Sequence, residues 1–168
     1  AQVAGRITAV TKAVAPARLM LRALYRDLAK AHSLNRAVTL SRQSRTDLEH
    51  FLERIQTWNG RYLTTPSPSV TLTKDASDYE WGMTLSNGMS ARGFWPNPHA
   101  MHITEKELTA VLLALKTIER ADPALIKDKT VMVRSDSVAS TVCQLNNLGG
   151  CSEALTPVTR RINVVTSR

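Results

Sequence analysis

Asp75, Glu107 and Asp136 are the residues of this chain whose types and positions suit chemistry at a metal ion. Asp75 closes the alternating run Ser69-Val-Thr-Leu-Thr-Lys-Asp75, Asp136 closes Thr130-Val-Met-Val-Arg-Ser-Asp136, and Glu107 lies in the amphipathic stretch between them. Three acids brought to one place would repel one another and raise their own pKa values unless a cation neutralised them. Hard carboxylate oxygens select magnesium or manganese, so the three together predict a divalent-metal site. Each acid also has a plainer role open to it. Thr104-Glu-Lys-Glu107 matches a capping box, Asp75 suits a turn after a strand, and Asp136 suits a helix N-cap. Glu107 lies four residues before Val111 and so shares its buried side, whereas Glu105 falls about 200° away around the helix.

The elements that must hold these acids follow from periodicity. Val70 to Lys74 alternates, Trp81 to Leu85 forms a second strand, and Ser86-Asn87-Gly88-Met89 carries the Asn-Gly signal of a tight hairpin into Ala91 to Trp95. A long helix from Thr104 has Leu108, Val111, Leu112, Leu115 and Ile118 on one face. The strand at 130–135 is expected to lie parallel to the first, which sets Asp75 and Asp136 at the carboxyl ends of neighbouring strands. A last helix is expected from about Thr156. Trp81 and Trp95 suit the core better than a base-stacking role. His99 and His102 lack the partners of a zinc set and suit a loop or a supporting role behind the acids.

Ahead of this mixed α/β layout the pattern is helical from Gly5 to about Ile55. Pro16 interrupts one stretch and starts another with Ala17, Leu21, Leu24 and Leu28 as its apolar stripe. A further helix after Ser44 places Leu48, Phe51, Leu52 and Ile55 at i, i+3, i+4 and i+7, and Asn59-Gly60 is a stop signal. Thr64-Thr-Pro-Ser-Pro-Ser69 suits neither a helix nor a central strand and reads as a linker. The expected division is a helical segment over 1–61 and an α/β domain over 62–168.

Charge separates along the same line. Residues 1–61 hold eleven Lys/Arg against four Asp/Glu, and residues 62–168 hold eleven against ten. A polyanion such as nucleic acid is the natural partner of the first part. Arg18, Arg22, Arg26 and Lys30 recur every four residues there; a nucleic-acid track and an ordinary solvated face both remain open, since Asp27 lies close by. No apolar run reaches membrane-spanning length, and Cys143 and Cys151 suggest neither zinc nor a disulfide framework. A reducing intracellular compartment is the expectation. The start carries neither an initiator Met nor a secretory pattern, which suggests a piece of a longer protein.

Asp75-Ala-Ser-Asp-Tyr-Glu-Trp-Gly82, Gly93-Phe-Trp95, His102-Ile-Thr-Glu-Lys-Glu-Leu through Leu115, Val133-Arg-Ser-Asp136 and Leu148-Gly-Gly150 resemble the ribonuclease H domain of retroelement reverse transcriptases, most closely the DIRS-type elements. Leu40-Ser-Arg-Gln-Ser-Arg-Thr-Asp-Leu48 and Trp58-Asn-Gly-Arg61 resemble the segment joining the polymerase thumb to that domain. The resemblance implies a ribonuclease H-like fold. Its first strand would carry Asp75, its first helix Glu107 and its fourth strand Asp136. It also implies an endonuclease that hydrolyses the RNA strand of an RNA–DNA hybrid, independent of base sequence, using two Mg2+ (or Mn2+) ions held by four acids. Its partners would be the hybrid and an upstream polymerase domain or other subunits.

One departure qualifies this. The only acid after Asp136 is Glu153, which suits a helix start after Gly149-Gly150, and the resemblance implies a fourth acid beyond Arg168. A catalytically silent, retroelement-derived scaffold in a larger assembly is therefore the alternative. A transposase or integrase core would share the fold but take its last acid from a late helix, unlike Glu107.

Overall fold

The computed structural model of the chain describes residues 2–11, 13–14, 16–31, 37–58, 67–137, 145 and 155–166. It falls into two units, Ala1–Leu63 and Thr64–Arg168.

In the first unit the helical periodicity becomes α1 (Gln2–Ala9), α2 (Ala17–Ala29) and α3 (Arg42–Trp58). Pro16 stands just before α2, where its missing N–H costs no helical hydrogen bond, and its carbonyl accepts from the Leu19 and Met20 amides. Ala17, Leu21 and Leu24 of α2 are buried with Ala4, Ile7, Val14 and Phe51, and Leu28, Leu48 and Ile55 pack at the margin. Leu52, expected on this stripe, is 76% exposed. Helix α3 packs chiefly against α2, and a helix with one main partner buries a stripe only as wide as that partner covers.

Asp27 ties these two helices together. Its buried Oδ2 accepts from the Ser41 amide at 2.8 Å and from the Ser44 hydroxyl, so a side chain of α2 fixes the start of α3. The Ser44 hydroxyl first, then the Ser41 amide and hydroxyl, hold the Asp27 carboxyl down to about 2, with a smaller contribution from Lys30.

In the second unit the extended pattern becomes β1 (Val70–Ala76), β2 (Glu80–Leu85) and β3 (Ser90–Phe94), followed by α4 (Ile103–Ala121), β4 (Val131–Arg134) and α5 (Thr156–Thr166). The sheet order is β3-β2-β1-β4, antiparallel except for the parallel pair β1 and β4. This is the α/β class that the sequence predicts, a mixed sheet with flanking helices. Gly88, at φ +89°, takes the left-handed position of the β2–β3 turn, and Leu85 N–H donates to the Met89 carbonyl at 2.8 Å to close it. Period-two burial sends Leu72 and Ala76 of β1 and Met83 and Leu85 of β2 to one face of the sheet. Leu72, Met83 and Leu85 form a core there with Leu108, Val111, Leu112, Leu115 and Ile118 of α4 and Val158 and Ile162 of α5. The opposite face of β1 carries Thr73 and Asp75, both exposed.

Candidate metal centre

Strand register brings the two aspartates together. Thr73 pairs with Arg134 across the parallel β1–β4 ladder, and continuing that register two residues sets Asp75 beside Asp136. Both are exposed, and the two-residue step puts each on the same side as its neighbour in the ladder. Glu107 arrives from the second unit's long helix. It is buried on the sheet-facing side of α4, one turn before Val111, whereas Glu105 turns away from that stripe. The three residues offer ligand oxygens that all lie within 4.8 Å of one another. Three segments far apart in sequence thus deliver three hard anionic donors to one point, a donor set that fits a divalent cation such as Mg2+ or Mn2+.

The capping alternative for Glu107 is not the arrangement found. Helix α4 starts one residue earlier than the sequence suggests, because His102 takes the N-cap and its Nδ1 accepts from the Thr104 amide at 3.3 Å. Glu107 Oε2 instead meets the Nζ of Lys74, which is buried on the helix-facing side of β1 beside Leu72 and Ala76. Asp75 has a lighter set of contacts, its Oδ1 accepting from the Ala76 amide at 2.9 Å.

The loop after Asp75 is held by its own bonds. Lys106, the neighbour of Glu107, is also buried, and its Nζ donates to the Asp78 carbonyl at 2.8 Å. Trp95 Nε1 donates to the Ser77 carbonyl at 3.0 Å, and the Trp95 amide donates to the Tyr79 carbonyl at 2.9 Å. Trp95 is buried, as expected, while Trp81 is only half-buried and lies over Gly93. A Cβ at Gly93 would stand 2.8 Å from Trp81 Nε1, so the close ring requires glycine there. These bonds fix the chain that follows Asp75.

Lys74 and Lys106 are the residues of this centre that sequence reasoning missed. A signal for Lys74 existed in the strand alternation, which sets it in phase with Leu72 and Ala76 on the buried side. The basic residues Arg18, Arg22, Arg26 and Lys30 belong to the other unit; Arg18 and Arg26 are exposed on α2, Arg22 is half-buried, and Lys30 is exposed just past the helix end. Lys30 Nζ lies 4.0 Å from the Asp27 carboxylate. Cys143, Glu153, Cys151 and Leu148-Gly-Gly150 lie outside the described residues. Among the described residues no helix is long and apolar enough to cross a membrane.

No family model matches the chain, and no curated protein does. Solved structures similar to it at a low level include two of reverse transcriptases. A foamy viral protease-reverse transcriptase in complex with dsDNA is matched over 71% of this chain and 26% of its own, at 17% identity and a TM-score of 0.32. A foamy viral protease-reverse transcriptase dRH in complex with ds DNA is matched over 98% and 29%, at 14% identity and a TM-score of 0.37. The chain spans less than a third of either protein, and a likeness this distant carries no weight for function.

Proposed function

We propose that the second unit is a divalent-metal-dependent nuclease module that hydrolyses the RNA strand of RNA–DNA hybrids, joined to a reverse transcriptase, as the resemblance in its sequence implies. The observation that carries this is the convergence of the Asp75, Glu107 and Asp136 oxygens within 4.8 Å. A bound Mg2+ or Mn2+ would supply Lewis-acid stabilisation of charge at a phosphodiester. Asp75 and Asp136, exposed on the sheet edge, would hold the ion where a nucleic-acid backbone can reach it, and buried Glu107 would anchor it from below. The bonds from Lys106 and Trp95 to the loop at 77–79 would keep Asp75 oriented. Recognition would rest on backbone shape and 2′-hydroxyls rather than bases. The basic first unit, with Arg18, Arg22, Arg26 and Lys30, would add sequence-independent phosphate affinity.

A second reading has one observation in its favour. Lys74 already neutralises part of the acidic cluster, as a catalytically silent scaffold would tolerate. Cleavage of a labelled RNA–DNA hybrid by the whole protein in Mg2+ or Mn2+ separates the two. Activity that is lost in Asp75→Asn supports the nuclease; no cleavage in either metal, together with co-purification in a stable assembly, supports the scaffold.

A further inference from the structure

We infer that Lys74 is a built-in cation of the acidic cluster and limits it to a single divalent ion. The inference rests on the metal reading of the site and departs from the two ions that the resemblance implies. Asp75, Glu107 and Asp136 bring three negative charges to one point. Lys74 lies next to Asp75 in sequence, yet strand alternation sends the two side chains to opposite faces of β1. The ammonium therefore reaches the cluster from the core side, where it meets Glu107 Oε2. Its side chain is fully buried and that of Glu107 is 8% exposed. Neither partner can turn out to water in place of the other, so the lysine is a fixed component of the site.

Two consequences follow from charge and from donor supply. Among the described residues three carboxylates and one ammonium leave two negative charges, which one divalent ion balances. A second ion would reverse the sign of the cluster a few ångströms from a buried ammonium that cannot withdraw, and the low dielectric there strengthens the repulsion. The lysine also takes up one of the two Glu107 oxygens, and Glu107 is the only buried acid of the three. Glu107 therefore has one oxygen left to offer a metal. Exposed Asp75 and Asp136, together with the remaining Glu107 oxygen, suffice for one.

Mn2+ binding to the whole chain tests this by calorimetry, with electron paramagnetic resonance counting the bound ions. The wild type is expected to bind one Mn2+ per chain. Lys74→Met, which keeps the length of the buried stem but removes the charge, is expected to bind Mn2+ at least tenfold more tightly. Two equivalents in the wild type, or an affinity unchanged in a folded Lys74→Met, overturns the inference while the metal reading stands. No bound ion in either protein overturns the metal reading and the inference with it. Should Lys74→Met fail to fold, the stoichiometry of the wild type decides alone, one ion supporting the inference and two refuting it.

Discussion

Asp27 in the first unit and Asp75 in the second are both aspartates beside a helix or strand end, and their surroundings assign them opposite work. Asp27 is buried and its Oδ2 accepts from the Ser41 amide and the Ser44 hydroxyl, neutral donors at the start of the next helix, with Lys30 close by. Asp75 is exposed, accepts from the Ala76 amide, and has Glu107 and Asp136 as its nearest chemistry. A carboxylate whose lone pairs are filled by the fold is a fastener. One that meets other carboxylates instead leaves its charge to be answered by a cation.

The largest expected effect falls on the open site. Asp75→Asn removes one charge and one hard donor, so Mg2+-dependent hybrid cleavage by the whole protein should fall at least roughly a hundredfold, the scale of losing one charge-stabilising group. The thermal midpoint should barely move, because the exposed amide costs little and one like-charge repulsion is relieved. An Asp75→Asn protein that cleaves at the wild-type rate would remove the distinction between the two aspartates.

Glu107→Gln should do the reverse in proportion. It leaves the Lys74 ammonium buried without its counter-charge, and breaking one side of a buried pair costs ~3–5 kcal/mol. Chemical denaturation of the second unit measures it. A loss no larger than that of Asp75→Asn would mean that Lys74 finds solvent, contrary to its full burial.

These residues also mark how far the molecule was legible in its sequence. Period-two alternation and the Asn-Gly turn placed the strands and hairpin, and the i, i+3, i+4 spacing placed α4, because each is a local signal that burial reinforces. The closeness of Asp75, Glu107 and Asp136 followed from strand order and helix phase, both readable from pattern. Lys74 was overlooked because a lysine in a strand normally points to water, and its partner lies 33 residues away. Asp27 drew notice only as an acid close to the basic stripe, since its donors sit 14 and 17 residues further on and only the α2–α3 packing brings them in. Leu52 was misplaced because sequence cannot tell how wide a face the neighbouring helix covers.

A smaller and pH-dependent effect tests the fastener. Asp27 has its carboxyl lowered from 3.8 to about 2, so the folded state prefers the ionised form. Its contribution is therefore fully present above the unfolded value and fades as pH falls from about 4 toward 2. Asp27→Asn should speed hydrogen exchange at the Ser41 amide near neutral pH. The difference from the wild type should narrow below about pH 3, and a pH-independent difference would show that the charge is irrelevant to the anchor.

The smallest effect belongs to the basic stripe. Arg26 is exposed on α2 one turn beyond half-buried Arg22, so removing its charge leaves the core of α1, α2 and α3 untouched. If α2 follows a phosphate backbone, Arg26→Ala should weaken binding of the hybrid only a few-fold, equally for all sequences. The slope of log affinity against log salt should then become shallower by about one, as one fewer counterion is released. Mn2+ affinity should stay constant, because the acids that would hold the ion belong to the other unit. An unchanged salt slope would make the stripe an ordinary solvated face, and the first unit would then be held to nucleic acid, if at all, by residues elsewhere on its surface.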